Sequence, residues 1–263
     1  MHRIKEIVVL LLLLLLAMPA ETFAQSAGGQ IRRKPKTVVK KETPAKKTPS
    51  KNTARKPAAR KAVRSSKPIP NSAVDLGLPS GTLWADRNIG ANSPEGYGDY
   101  FAWGETRPKL FYDWSTYKYC DGSYNVMTKY CTDSSKGKVD NKTVLEPSDD
   151  AATANWGAAW RMPTHEEQVE LNEKCTWTKS TLNGVKGYKV TGPNGNSIFL
   201  PAAGVRMDSD VTLVYLGTYA SASLVDYVNL HCAWRLEVNL MDDTHTCNDG
   251  SRCYGWSVRA VVR

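Results

Sequence analysis

Apolar residues are distributed very unevenly along the chain. Residues 7–18 form an almost unbroken apolar run, with leucine at every position from 10 to 16. Residues 25–70 contain no aromatic residue, whereas from residue 74 onward short apolar stretches alternate with Gly, Asn, Asp and Pro. Such alternation is typical of short β-strands joined by turns. The predicted strands lie at 82–89, 99–104, 185–190, 198–200, 213–219, 233–240 and 256–262.

Two segments of this C-terminal part have helical patterns instead. Ser148 is placed to cap a short helix over residues 149–155, whose first turn is acidic. Thr164 and Glu167 have the spacing of a capping box at the start of a second helix. The face of that helix predicted to pack carries Val169, Asn172 and Cys175, with Leu171 beside them. We therefore expect an α+β domain over residues 71–263, with short twisted antiparallel strands, two short helices and extensive ordered loops.

The N-terminal run has the form of a signal peptide. Arg3 and Lys5 precede the apolar segment, Pro19 ends it, and small residues lead to a predicted cleavage site after Ala24. The alternative is a membrane anchor, but a span needs about 20 apolar residues and this run is shorter. We expect residues 1–24 to be removed, which leaves a mature chain without a transmembrane span, exported to the periplasm, the cell surface or the medium.

The net charge of +9 is an average of two unlike parts. Residues 32–67 carry fifteen Lys or Arg and one acid, whereas residues 68–263 carry 18 basic and 23 acidic residues. A segment so basic and so poor in apolar residues cannot bury enough surface to fold alone. Residues 25–70 are therefore predicted to be a disordered basic tether. It serves either as a spacer or as an anchor for anionic polymers or the cell envelope.

All six cysteines lie in the C-terminal part: Cys120, Cys131, Cys175, Cys232, Cys247 and Cys253. An even number in an exported protein permits three disulfides, with fifteen connectivities. The local pairs 120–131 and 247–253 are the first expectation.

Five stretches of the C-terminal part resemble one family. They are Val-Asp-Leu-Gly-Leu-Pro-Ser-Gly-Thr-Leu-Trp-Ala at 74–85, Tyr-Gly-Asp-Tyr-Phe-Ala-Trp-Gly-Glu-Thr at 97–106, Asn-Trp-Gly-Ala-Ala-Trp-Arg-Met-Pro-Thr at 155–164, Phe-Leu-Pro-Ala-Ala-Gly-Val-Arg at 199–206 and Tyr-Gly-Trp-Ser-Val-Arg-Ala at 254–260. Together they resemble the Fibrobacter succinogenes major paralogous domain family, which is widespread in secreted proteins of Bacteroidales. The resemblance implies a C-type-lectin-like fold, in the branch of the formylglycine-generating enzymes, that displays loops on a rigid Trp-rich scaffold. It also implies that Arg161 is a buried or bridging cation and that Pro163 starts the second helix.

Two windows near the C-terminus have an unusual composition. Residues 208–233 and 242–255 contain no Glu, Lys, Gln, Met or Trp. The other fifteen residue types are those that codons ending in C or T specify. The pattern resembles the variable region of target proteins of diversity-generating retroelements, which ends in a Gly-x-Ser-Val-Arg motif like the one at 255–259 here. This resemblance predicts C- or T-ending codons in both windows, and a candidate variable region over 208–255.

If this interpretation holds, the function is binding by a surface rich in Tyr, Asn and other adaptable side chains. The partner would be a protein or a glycan, and the aspartates favour basic or hydroxyl-rich groups. The candidate ligand-binding residues are Leu224, Asp226, Tyr227, Asn229, His231, Asp242, Asp243, His245, Asn248, Asp249, Arg252 and Tyr254.

Two alternatives remain. The first is a structural or adhesive surface domain of the same family that is not diversified. The second is a copper-dependent oxidase of the formylglycine-generating type, since Cys247 and Cys253 are placed loosely like the reactive pair of those enzymes. The surroundings of the two cysteines do not match that motif, and the spacing near His245 is not that of a structural zinc site. We therefore predict no catalytic residue, no metal ligand and no cofactor.

Overall fold

The computed structural model describes residues 72–225 and 231–262, which all belong to one unit of the chain, Ala62–Arg263. Short strands, two helices and long ordered loops make up this part. The strands are β1 Ala73–Asp75, β2 Leu83–Ala85, β3 Thr176–Leu182, β4 Val185–Thr191, β5 Ser197–Pro201, β6 Val205–Met207, β7 Asp210–Thr212, β8 Leu216–Leu224, β9 Cys232–Asn239, β10 Thr244–Ser251 and β11 Val261–Val262. The helices are α1 Ala151–Trp156, preceded by a 3₁₀ turn over Pro147–Asp149, and α2 His165–Lys174. The predicted α+β class, with mostly antiparallel strands and two short helices, is confirmed.

The strands pair into small antiparallel sheets. Their orders are β1-β2-β11, β10-β9-β8 and β3-β4-β5, with the hairpin β6-β7 separate. Strand β11 pairs with β2 through Val261 and Trp84, so the two ends of the described chain share one sheet. In the sheet β10-β9-β8, strand β10 is an edge, and its hairpin with β9 carries many of the candidate binding residues.

Two buried clusters hold these sheets. The first is rich in aromatic residues and includes Trp103, Tyr117 and Trp256. The Trp103 indole N–H donates to the Ser221 backbone carbonyl at 2.9 Å. The second cluster lies where Leu171 of α2 and Tyr188 of β4 join the sheet β10-β9-β8. Burial of such large side chains is the main driving force for the fold.

Helix α2 begins as the sequence predicts. The Thr164 hydroxyl accepts from the Glu167 backbone N–H, and the Glu167 carboxylate accepts from the Thr164 N–H. The residue before the cap is Pro163, so the implied start of the helix at Pro163 is two residues early. Arg161 bridges to the Glu167 carboxylate through two hydrogen bonds of 2.6 and 2.7 Å. Of the predicted packing face, Leu171 is buried and Cys175 packs against the second cluster, whereas Val169 and Asn172 are only half-buried. The helix also buries Glu167 and Gln168, which were not predicted to pack.

The first helix differs from its prediction by its cap. Asp150, not Ser148, accepts from the Thr153 backbone N–H, and the α-helix runs over Ala151–Trp156. A second oxygen of Asp150 accepts from the Met162 N–H at 2.8 Å. The carboxylate thus ties the helix start to the next segment of chain, a link that Ser148 is too short to make.

The strands with buried apolar residues were predicted better than the strands with mostly polar residues. Strands β4, β5 and β9 match their apolar stretches to within two residues. Strands β3 and β10 were not predicted, since as edges they present polar residues to solvent. The prediction of a strand at 99–104 was wrong, because that segment makes only an isolated bridge between Phe101 and Trp256.

All six cysteines are free thiols, so the expected pairs 120–131 and 247–253 are not formed. The Cys120 and Cys131 thiols instead contact the backbone carbonyls of Trp114 and Asp133.

Candidate binding surface

The β9–β10 hairpin separates the candidate residues onto two faces. Residues that pair directly across antiparallel strands point to the same face of a sheet. His245 pairs with Val238 and Asp249 with Trp234, on the face that packs against α2. Asn248 pairs with Arg235 on the opposite face. The candidates on β10 therefore do not form one continuous surface.

At the turn of the hairpin, three candidates lie close together. Asp242 and Asp243 are exposed, and the Asp243 carboxylate accepts from the Tyr188 hydroxyl at 2.8 Å. The His245 ring stacks on Trp177 with centroids 4.5 Å apart, and its Nδ1 lies 2.6 Å from the Asn172 amide oxygen. Burial lowers the pKa of His245. The two aspartates face solvent, whereas His245 is half-buried and contacts Trp177 and Asn172.

The other end of the hairpin carries a second group. His231 lies between Trp114 and Tyr124, at centroid distances of 6.0 and 5.1 Å. Tyr254 is half-buried against the aromatic cluster. Tyr124 is 42% exposed, so this end also presents an aromatic side chain to solvent. The candidates Asp226, Tyr227 and Asn229 belong to residues 226–230, which lie outside the described part.

Two of the candidates were wrong. Leu224 is 3% exposed at the end of β8, and Arg252 is fully buried. The Arg252 guanidinium donates to the Tyr130 carbonyl at 3.0 Å and lies over the Trp103 ring. After β10 the chain re-enters the aromatic core, so Arg252 holds the scaffold instead of facing a ligand.

The half-buried middle of the hairpin offers a charged pair. Arg235 and Glu237 are 2.9 Å apart on the face that also bears Asn248. The Arg235 guanidinium lies over Trp256, and burial lowers its pKa. The Asn248 side-chain oxygen is buried without a hydrogen-bond partner within the described part of the chain. This face is polar but largely occupied by its own contacts.

Burial also changes the meaning of the first compositional window. Strand β8 spans nine residues of it, and every one is buried. A strand buried on both faces has no room for Glu, Lys or Gln without paired partners. The lack of these residues in 216–224 is therefore explained by packing alone. Among the described residues of this window, the exposed ones lie at its beginning, residues 208–215, of which Thr212 and Tyr215 are half-buried.

An exposed apolar patch at this beginning was missed by the sequence analysis. Val214 is 66% exposed and Met241 is 69% exposed. The two segments that carry them are joined, because the Leu240 backbone N–H donates to the Tyr215 carbonyl at 3.0 Å. We call this surface the turn patch and define it as Val211, Leu213, Val214 and Met241 with Asp210, Asp242 and Asp243. The predicted strand over 213–219 included Leu213 and Val214, but the strand begins at Leu216.

The backbone of the turn patch is held in an unfavourable conformation. Leu213 and Asp243 have φ of 52° and 56°, in the left-handed region. A bulky side chain in this region is rare, and such strain persists only where the surroundings fix it. Nearby Asp208 has φ of 51° and exchanges two backbone hydrogen bonds with Tyr112. The patch is therefore a fixed surface, which reduces the entropy lost on binding.

The charge around the turn patch is mostly negative. Asp210, Asp242 and Asp243 are exposed at its rim, and Lys179 is 3.5 Å from Asp243. An apolar centre with an acidic rim is typical of a surface that binds basic, partly apolar partners.

Comparison with protein-family models, with curated proteins and with solved structures found no match. Within residues 72–225 and 231–262, no three His, Cys, Asp or Glu side chains are grouped so that they could hold a metal ion. Among the described residues, no helix has the length and apolar composition needed to cross a bilayer.

Proposed function

We propose that this chain is an exported binding module whose recognition surface is the turn patch. The observation that carries the proposal is the exposure of Val214 and Met241 on two turns whose backbones are bonded to each other. Contiguous exposed apolar patches with a polar rim mark binding surfaces more often than single exposed apolar side chains do.

The fold that we propose for the module is C-type-lectin-like. The short antiparallel strands, the two helices and the long ordered loops support it, together with the five sequence stretches that resemble the family. The buried aromatic cluster provides the rigid scaffold that such a display needs. The proposal that the chain is exported depends on the predicted signal peptide. The predicted basic tether over 25–70 lies outside the described residues.

Diversification is proposed for a smaller region than the two windows. The exposed positions of 208–215 and 242–251 accept many side chains at little cost, because surface changes away from special features shift stability by only about 0.5 kcal/mol. The buried positions of β8 do not. The partner is expected to be a protein or glycan with basic or hydroxyl-rich groups next to an apolar one.

The test is a selection of peptides against the full exported chain from a random peptide library. We expect enriched peptides that combine Lys or Arg with apolar residues. Their binding should be lost in the double variant Val214→Asp, Met241→Asp, which adds charge to the centre of the patch. Val126 and Val144 are 46% and 50% exposed elsewhere, so Val126→Asp, Val144→Asp is the matched control. Peptides that bind both double variants equally well would disprove the assignment of the surface.

A further inference from the structure

A second surface feature is an apolar groove that shares no residue with the turn patch. Its volume is about 290 Å³. Pro94, Leu182, Ile198 and Phe199 form its apolar walls. Its polar lining residues are Asp86, Ser180, Lys189 and Ser197. The cavity is large enough for one or two aliphatic side chains, and it lies on strands β3, β4 and β5 and the segment after β2.

The described chain begins beside this groove. The Ser72 carbonyl accepts a hydrogen bond of 2.8 Å from the backbone N–H of Asp86, which itself lines the groove. This bond continues the pairing of Ala73 with Ala85 by one residue. Ser72, the first described residue, therefore lies at the edge of the cavity.

The sequence just before Ser72 contains one large apolar residue. Residues 67–71 read Lys-Pro-Ile-Pro-Asn, and the next large apolar residue toward the N-terminus is Val63. Three residues of extended chain span about 10 Å, so Ile69 is within reach of a groove that begins at Asp86. Pro70 restricts Ile69 to extended conformations, and Pro68 has a fixed φ, so little entropy is lost when the segment is ordered.

We propose that the groove binds the Pro-Ile-Pro segment of this same chain, with the Ile69 side chain between Leu182 and Phe199. The groove and the segment match in chemistry. The groove has apolar walls, and Ile69 is the one large aliphatic residue of the polar, basic tether that lies within reach of it. The segment thereby becomes part of the domain, and the tether ends at Lys67 instead of at Pro70.

The test compares two substitutions in the full chain. Ile69→Ser removes the proposed occupant, and Val63→Ser is the matched control six residues earlier. Burial of one isoleucine predicts that Ile69→Ser lowers the melting temperature by about 4–8 °C, while Val63→Ser leaves it within about 1 °C. Equal melting temperatures for the two variants would overturn the proposal.

Two further measurements separate docking in the groove from any other effect of Ile69. If the side chains touch, Leu182→Ser and Ile69→Ser will not be additive in a double-mutant cycle, since residues in contact are coupled. Additive effects would contradict the proposal, as would the lack of a nuclear Overhauser contact between the Ile69 methyl groups and the Phe199 ring. Such a contact would establish the occupant directly. If an added small apolar ligand filled the groove while the nuclear magnetic resonance signals of Ile69 stayed unchanged, the groove would bind a foreign occupant. That result would also contradict the proposal.

Discussion

The Glu167 carboxylate offers the sharpest test of how the scaffold is held. Its side chain is 6% exposed and accepts two hydrogen bonds from Arg161, at 2.6 and 2.7 Å. It also accepts from the Thr82 hydroxyl at 2.9 Å and from the Thr164 backbone N–H at 3.0 Å. One acceptor-only group therefore joins the residue just before β2, the segment before α2 and the start of α2.

Glu167→Gln keeps the shape of the side chain but replaces one acceptor oxygen by a donor NH₂ group. The groups that donate to the replaced oxygen then face an NH₂ group that is itself a donor. The positive charge of Arg161 also loses its negative partner. Breaking a buried ion pair costs about 3–5 kcal/mol. Arg161 is 32% exposed and can be partly solvated by water, so we expect a loss of about 2–4 kcal/mol in the free energy of unfolding.

The assay is urea unfolding followed by Trp fluorescence, with Glu173→Gln as the control on the same helix. Glu173 is 60% exposed and lies 3.7 Å from Lys174, so its loss should change stability by no more than about 0.5 kcal/mol. If Glu167→Gln were as stable as Glu173→Gln, the carboxylate would not hold the scaffold.

The same pair gives a pH dependence with a definite sign. Burial opposes ionisation of Glu167, but Arg161 and the other donors outweigh it and hold the pKa below its usual value. The stabilisation is therefore present above the ordinary glutamate pKa of about 4.3 and is lost as pH falls through the folded-state pKa. The stability of Glu167→Gln should fall less steeply with acid than that of the parent chain.

Two further predictions concern buried groups. With a thiol reagent at neutral pH, the half-buried Cys120, Cys175 and Cys247 should react before the buried Cys131, Cys232 and Cys253. The order follows from exposure, because burial raises the pKa of the half-buried Cys247 to about 12 as well as those of Cys232 and Cys253. Labelling of Cys232 or Cys253 before Cys120 would contradict it. His165 stacks on Trp234 at 4.0 Å, and burial lowers its pKa, so the stability that it contributes is present above about pH 6.5 and is lost as pH falls toward the folded-state pKa. Stability measured between pH 7 and 5 should therefore fall less in His165→Phe than in the parent chain, and parallel curves would refute the assignment.

The sequence predicted those parts of the fold whose causes are local. The capping box of α2 needs only Thr164 and Glu167 three residues apart, and it is present as expected. That Glu167 also pairs with Arg161 follows from a contact between separate segments, and the sequence supplied it only through a family resemblance. The edge strands β3 and β10 were missed because their stability comes from pairing with β4 and β9 rather than from an apolar period of their own.

The candidate surface was predicted less well, because the sequence did not reveal where the turn ends and strand β8 begins. The apolar run at 213–219 contains the end of a turn and the start of a strand, and composition does not distinguish them. Tyr215 bonds to the turn of the neighbouring hairpin, and this tertiary contact fixes Leu213 and Val214 on the outside. Likewise, arginine is a residue type that often anchors a ligand, but the chain after β10 enters the core and buries Arg252 there.

The two compositional windows illustrate how one pattern can have two physical origins. In β8, small and aliphatic residues are required because both faces are buried, so the absence of long polar side chains says nothing about diversification. In the turn of the β9–β10 hairpin no such requirement exists, since Asp242, Asp243 and Thr244 are exposed. Packing does not explain the lack of Glu, Lys and Gln in this exposed turn, whereas a restriction at the level of codons would explain it. The hypothesis of diversification therefore depends on the second window and on the exposed beginning of the first, and these segments contribute every residue of the turn patch except Met241.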